Sequence, residues 1–181
     1  MKNILVLTDF SDNATHAAKS GAKWTEKLHA DLLLYNSFYN HPVVAAHAAG
    51  PLVVEEFVFR KDESLTKLDH LTFQMKHPAE DAAMDGYRPN INFQSGEGSL
   101  GANVSAILRE RQIDMIIMGA SLNGALNHAF FGCDTMDVIN NANCPVMVIP
   151  QKAEMKKIKK VTIATAFELA DINAINYLST L

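Results

Sequence analysis

Short apolar runs along this chain alternate with longer stretches of mixed polarity. The run at 3–8 contains no alternating polar residues, which is typical of a strand buried on both faces of a parallel sheet. Further strands are expected at 31–38, 91–94, 113–118 and 145–149. Because the stretches between them favour helices, the order along the chain is strand and helix in turn, and this predicts a parallel sheet with right-handed crossovers.

Three of the predicted helices carry an apolar stripe at helical spacing. The first starts after a cap at Ser11 or Asp12, the second covers 61–76, and the third follows a turn at 96–99. Between 43 and 60 the pattern fits a strand, a helix or a loop, and periodicity does not choose between them. The stripe residues are Ala14, Ala17, Ala18, Gly21, Ala22 and Leu28 in the first helix, Leu68, Leu71 and Met75 in the second, and Leu100, Val104, Ile107 and Leu108 in the third.

A loop containing several glycines joins the fourth strand to the last of these helices. It begins at Gly119, passes Gly124 and Gly132, and leads into a helical pattern near Thr135. At such a junction the free N–H groups of a helix start and the positive end of its dipole converge. The sequence therefore predicts a place where an anion can bind.

The stretch from 113 to 150 resembles the C-terminal half of the universal stress protein family. Nucleotide-binding members carry glycine, two residues, glycine, nine residues, and then glycine followed by Ser or Thr. On that spacing Gly119 matches the first position, Leu122 stands at the second, and Gly132-Cys133 falls at the third. The flanking phrases IIMGAS and CPVMVI resemble the family more closely than the motif does.

The resemblance covers nearly the whole chain and implies a fold and a site. The fold would be α/β and Rossmann-like, a doubly wound five-stranded parallel sheet in the order 3-2-1-4-5 with helices on both faces. Asp9, in the family-like phrase TDFS, would contact the base or ribose; the alternative is that it only caps the next helix or organises the turn. The residues implied at the site are Thr8, Asp9, Phe10, Met118, Gly119, Gly124, Gly132, Cys133 and Asp134.

ATP is the cofactor that the resemblance implies, but three residues oppose it. Leu122 puts a side chain where the family's glycine lets the backbone approach phosphate. Cys133 replaces a hydroxyl with a weak thiol donor, and Asp134 places a carboxylate in the first turn of the last helix. Weakened or absent ATP binding is therefore expected, and no other cofactor is indicated.

Composition narrows the function classes. The net charge is −4 and the first basic cluster is the short tract at 156–160, so a nucleic-acid partner is not expected. Hydrophobic residues make up 48% of the chain, enough for a packed core, but no apolar run is long enough for a membrane helix. The N-terminus enters a strand pattern at once, without a signal peptide, which favours a soluble cytoplasmic protein.

The sequence contains no constellation that would identify an enzyme or a metal protein. Its seven histidines lack the spacing that fixes metal ligands on one face, and neither a Gly-x-Ser-x-Gly elbow nor a P-loop is present. Cys133 and Cys144 do not make a disulfide framework and are expected to be reduced thiols. A small-molecule enzyme on the same fold therefore has no support from these residues.

A partial internal repeat follows the main domain. After a domain at 1–150 and a linker at 151–157, the segment IKKVTIATAF at 158–167 resembles MKNILVLTDF at 1–10, with Lys, Thr and Phe identical. Ala166 stands where the first copy has Asp9. We interpret residues 158–181 as the strand and helix start of a truncated second copy in a tandem protein.

The resulting hypothesis is a universal stress protein that acts as a cytoplasmic binding and dimerising module with a degraded phosphate loop. The alternative is a member that binds ATP or hydrolyses it slowly. A homodimer is expected through the edge strand at 146–149, the 158–181 tail, or both, because an apolar strand at 161–166 would otherwise stay in water. Neither nucleic acid nor a membrane is an expected partner.

Overall fold

A computed structural model describes residues 2–39, 51–76, 87–120, 133–153 and 160–179. Strands and helices alternate in them, and the strands form one parallel sheet in the order β3-β2-β1-β4-β5. The predicted fold class and strand order are therefore confirmed. The elements are β1 Lys2–Leu7, α1 Asp12–Leu28, β2 Ala30–Phe38, α2 Pro51–Lys76, β3 Ile91–Glu97, α3 Leu100–Glu110, β4 Met115–Gly119, α4 Cys133–Asn141, β5 Val146–Ile149 and α5 Leu169–Leu178.

Two apolar clusters cover the two faces of the sheet. Ile4 and Val6 of β1 belong to the cluster that α1 and α2 complete. Leu5 and Leu7 belong to the cluster that α3 and α4 complete on the opposite face. All four side chains are at most 3% exposed, which explains why the first strand shows no polar alternation.

Helix α1 packs closely on the centre of the sheet because its inner face is made of small residues. Ser11 is its N-cap, and the Ser11 hydroxyl accepts a hydrogen bond from the Ala14 N–H at 3.2 Å. Ala17 and Ala18 are fully buried. A methyl group added to Gly21 would lie 3.1 Å from Val6 Cγ2, so this helix leaves almost no room for larger residues on that face.

Residues 51–59, which the pattern left undecided, form the first part of α2. Pro51 stands at the first helical position, where its missing N–H costs nothing. Val58 and Phe59 are 47% and 67% exposed. Because apolar residues occur on the outer face of the helix, the apolar positions here do not repeat at helical spacing. The predicted stripe of Leu68, Leu71 and Met75 is buried as expected. Residues 43–50 lie outside the described chain.

The turn predicted at 96–99 is partly wrong, because β3 continues to Glu97. Gly96 pairs with Ser37 of β2, and any side chain at this position would collide with the Tyr35 hydroxyl. Gly98, with φ of 106°, makes the turn itself. Gly96 therefore serves close packing within the sheet, and only Gly98 serves the turn.

Burial of Tyr35 predicts a pH-dependent loss of stability. Its side chain is 2% exposed, and burial raises its pKa from 10.0 to about 12. Between pH 10 and 12 the folded state keeps the Tyr35 proton that the unfolded state has lost. The contribution of Tyr35 to the free energy of unfolding is therefore complete below pH 10 and is lost as the pH rises towards 12. Between these values the free energy of unfolding should fall by up to about 1.4 kcal/mol per pH unit.

Urea unfolding at several pH values across this range, in the parent and in Tyr35→Phe, measures the effect. Tyr35→Phe should remove the part of the pH dependence of the unfolding free energy that comes from Tyr35. The pH dependence that comes from other groups should remain. Equal slopes in the two proteins would show that Tyr35 ionises as freely in the folded state as in the unfolded state.

The tail repeats the conformation that follows β1, as well as its sequence. In the first copy the Phe10 N–H donates to Thr8 Oγ1 at 3.0 Å and Phe10 has φ of 65°. In the tail the Phe167 N–H donates to Thr165 Oγ1 at 2.8 Å and Phe167 has φ of 61°. A helix starts two residues later in each case, α1 and α5. The same local rules therefore act in both segments, and the second-copy interpretation stays a prediction.

The strand expected at 161–166 is not formed. These residues have no ladder partner in the described chain and are exposed. The helix expected from Ile172 begins three residues earlier, at Leu169. Its Tyr177 is half-buried against the cluster on the α1 side, and the Tyr177 hydroxyl donates to the Asp114 carbonyl at 3.3 Å. Helix α5 thus packs against the domain through Tyr177, while residues 161–166 pair with no described strand.

Candidate functional site

A cleft of about 330 Å³ opens at the carboxyl end of the sheet. The order of the strands reverses between β1 and β4, and parallel sheets of this type bind ligands at that point. The ends of β1, β2 and β4 and the first turns of α1 and α4 contribute to its walls. The lining residues are Leu7, Thr8, Asp9, Ser11, Asp12, Asn13, Ala14, Ser37, Tyr39, Leu100, Met118, Gly119, Ala120, Asp134, Thr135 and Gln151.

The cleft brings together five of the site residues proposed from the sequence, namely Thr8, Asp9, Met118, Gly119 and Asp134. Phe10 does not line it: the Phe10 ring packs towards the α1 side of the sheet and lies 5.5 Å from the Lys67 ammonium. Cys133 begins α4, but its side chain is outside the described part. Leu122, Gly124 and Gly132 also lie outside the described residues.

Asp9 organises the turn that leads from β1 into α1. Its Oδ1 accepts hydrogen bonds from the Ser11 N–H at 3.0 Å and from the Ser11 hydroxyl at 2.6 Å. No described residue donates to Oδ2. The two roles considered for Asp9 are therefore compatible, since Oδ1 holds the turn while the residue also lines the cleft.

Gly119 is required where the end of β4 meets the start of α1. A side-chain carbon at Gly119 would lie 3.0 Å from the backbone carbon and oxygen of Asn13 and 3.1 Å from the Ala14 nitrogen. The Asn13 side-chain amide also donates to the Ala120 carbonyl. The glycine at the first position of the loop motif thus allows strand and helix to approach each other beside the cleft.

Two buried polar atoms of cleft residues have no hydrogen-bond partner among the described residues. Thr135 is fully buried, and its hydroxyl makes no hydrogen bond to any described residue; the same is true of the buried Asn13 Oδ1. A buried polar atom without a partner costs free energy, so such atoms point to a missing partner. Sequence reasoning missed both residues, together with Ser37, Tyr39 and Gln151. Ser37 and Tyr39 could have been found, because they follow the apolar run of β2 at the same edge.

The charged lining is acidic. Asp9, Asp12 and Asp134 contribute carboxylates, and no Lys, Arg or His occurs among the described lining residues. Asp12 and Asp134 lie in the first turns of α1 and α4, where a negative charge interacts favourably with the positive end of the helix dipole. Within the described ranges, no three His, Cys, Asp or Glu side chains are arranged to hold a metal ion, and none of the helices could cross a membrane.

The fold is that of a doubly wound α/β protein, and its cleft lies at the switch point where ligands bind in open sheets of this type. The model of the universal stress protein family matches residues 1–150. The chain belongs to the universal stress protein family, and the sequence resemblance is confirmed. No curated protein matches the chain.

Solved structures of the same family share the fold. The universal stress protein UspA from Lactobacillus plantarum is 21% identical with a TM-score of 0.62, covering 82% of this chain and 97% of its own. A universal stress protein in complex with cAMP is 15% identical with a TM-score of 0.57, covering 82% and 96%. One from Archaeoglobus fulgidus in complex with dAMP is 16% identical with a TM-score of 0.52, covering 82% and 97%. At these identities the likeness establishes the fold alone.

Proposed function

We propose that this chain is a cytoplasmic stress-response protein that binds an adenine-containing ligand and pairs with a second copy, without catalysing a reaction. The observation that carries the proposal is the cleft at the switch point, which Asp9 and Gly119 both line. The complexes of two neighbours with cAMP and dAMP support an adenine ligand.

The phosphate part of the site is the part in which this chain departs from the family motif. Asp134 lies at the cleft in the first turn of α4, where the N–H groups would otherwise attract phosphate. Leu122 and Cys133 replace a glycine and a hydroxyl in the motif. ATP binding or slow ATP hydrolysis remains the second candidate, because Gly119 keeps the first position of the motif and its close approach to α1.

Equilibrium dialysis with labelled adenosine, cAMP, dAMP and ATP tests this function. Saturable binding of at least one of them should weaken at least about tenfold in Asp9→Ala, the range of a lost hydrogen bond to a charged group. Asp69→Ala, which removes an exposed carboxylate of α2 away from the cleft, should leave binding unchanged. Failure of all four ligands to bind would contradict the proposal. Release of phosphate from ATP would favour the hydrolysing alternative.

Self-association is the second part of the proposal. Strand β5 is an edge of the sheet, and an edge strand offers unpaired N–H and carbonyl groups to another chain. In the tail Val161 is 57% exposed and Ile163 is 45% exposed, although both stand in an apolar run. Pairing between these surfaces of two copies would remove them from water.

Ile163→Asp should weaken the homodimer at least about tenfold, because it puts a charge into the apolar contact. Val58→Asp is the matched control, since Val58 is 47% exposed on α2 and should tolerate the change. Sedimentation velocity over a range of concentrations gives both dissociation constants. A parent protein that is monomeric at all concentrations, or association that survives deletion of residues 156–181, would refute the role of the tail.

A further inference from the structure

Three carboxylates and an amide oxygen that has no partner among the described residues restrict the ligand, alongside lining hydroxyls that can donate or accept. The three carboxylates can only accept hydrogen bonds when ionised, and the unpaired Asn13 atom is an amide oxygen. One N–H of the Asn13 side-chain amide donates to the Ala120 carbonyl. A ligand that satisfies the three carboxylates and the Asn13 amide oxygen must bring donors, such as sugar hydroxyls or an amino group.

The buried Thr135 hydroxyl is an independent sign that a polar ligand group is missing. Thr135 is fully buried in α4 and lines the cleft, yet its Oγ1 makes no hydrogen bond within the described chain. A hydroxyl can donate or accept, so it adapts to a ligand hydroxyl or a ring nitrogen. The site therefore combines three carboxylates with a buried hydroxyl that can bind a polar group of the ligand.

The charge of the described lining disfavours phosphate. No described lining residue carries a positive charge, so only the N–H groups of the two helix starts would offset the repulsion of a phosphate by Asp12 and Asp134. At about 330 Å³ the cavity lies within the ~300–1,000 Å³ typical of small-molecule sites, so a nucleoside-sized ligand suits it.

We propose that the cleft takes an uncharged, donor-rich nucleoside in preference to its phosphorylated forms. This rests on the proposed adenine-binding function and names the ligand class for that site. Hydroxyls of the sugar donate to the carboxylates, and the Thr135 hydroxyl gains its partner. Each added phosphate loses affinity because it meets carboxylates instead of cations.

Calorimetry of the full chain with adenosine, AMP and ATP tests the order of affinities. Adenosine should bind at least about tenfold more tightly than AMP, and AMP more tightly than ATP. A tenfold loss of affinity is modest for the repulsion between a phosphate and a carboxylate in the same cleft. AMP or ATP binding as tightly as adenosine would overturn this inference and leave the proposed function standing. Absence of binding by all three would overturn this inference, and it would overturn the proposed function as well if cAMP and dAMP also failed to bind.

Asp134→Asn should narrow the gap between adenosine and AMP, because it removes charge and keeps shape. Thr135→Val removes the hydroxyl at nearly constant shape and should weaken adenosine binding at least about fivefold. Thr72→Val is its matched control: Thr72 of α2 is 4% exposed and also unpaired among the described residues, but it does not line the cleft. Equal adenosine affinity in parent and Thr135→Val would remove Thr135 from the site, and an unchanged gap in Asp134→Asn would refute the charge argument.

Discussion

Ile117→Ala should lower the free energy of unfolding by about 2–5 kcal/mol, the range for a large-to-small change in a core. Ile117 is fully buried in β4, and β4 pairs with both β1 and β5. A typical domain is stable by about 5–15 kcal/mol, so a large part of the total would be lost. Urea unfolding followed by circular dichroism measures the change.

A second substitution makes this prediction sharper, because Gly21 of α1 packs near Ile117. A methyl group added to Gly21 would lie 3.5 Å from Ile117 Cδ1 and 3.1 Å from Val6 Cγ2. In the parent this crowding offsets the gain of about 1 kcal/mol expected when alanine replaces glycine in a helix. In the Ile117→Ala protein, the space left by the Ile117 side chain accommodates part of the methyl group that Gly21→Ala adds. Gly21→Ala should therefore stabilise the Ile117→Ala protein more than it stabilises the parent. Equal effects in both backgrounds would show that the two sites do not share packing.

The strands could be predicted because burial on both faces leaves a local mark in the sequence. The runs at 3–8, 31–38 and 113–118 correspond to β1, β2 and β4 within two residues at each end. Residues 51–59 could not be assigned because Val58 and Phe59 face outwards and conceal the helical period. The strand order came from the family resemblance, since neighbours in a sheet are chosen by tertiary packing.

The tail shows where local pattern fails. An apolar run such as 161–166 predicts a strand, but a strand requires a neighbour for its backbone groups. The turn at Thr165 and Phe167 forms without one, because its hydrogen bond and positive φ depend on adjacent residues only. Sequence can therefore predict a self-contained turn more safely than a strand.

The candidate site was predictable where one segment supplies it and not where distant segments meet. Thr8, Asp9 and Gly119 follow directly from apolar runs that end at the edge of a sheet. Thr135 carries no such signal, because its unpaired hydroxyl is visible only once the fold places it at the cleft. Phe10 was proposed for the site but does not line the cleft: it has a positive φ, and its ring lies under Lys67 of α2.

ATP binding should be gained by reverting the phosphate loop to the family motif with Leu122→Gly, Cys133→Ser and Asp134→Val. A carboxylate held ~4 Å from a phosphate charge costs on the order of 4 kcal/mol at an effective dielectric constant of ~20, which is about three orders of magnitude in affinity. Asp134 lies in the first turn of α4 and lines the cleft, so its charge should matter most. Calorimetry should find little ATP binding in the parent at millimolar ligand and measurable binding in the triple variant.

Single variants separate charge from shape. Asp134→Val alone should give most of the gain for ATP but change adenosine affinity little, because adenosine carries no phosphate. Asp69→Val, which removes an exposed charge on α2, should give no gain, and Asp9→Ala in the triple variant should abolish the regained binding. Tight ATP binding by the parent would refute the charge argument. A triple variant that still ignores ATP, with its fold intact, would show that the phosphate subsite was lost through residues other than these three.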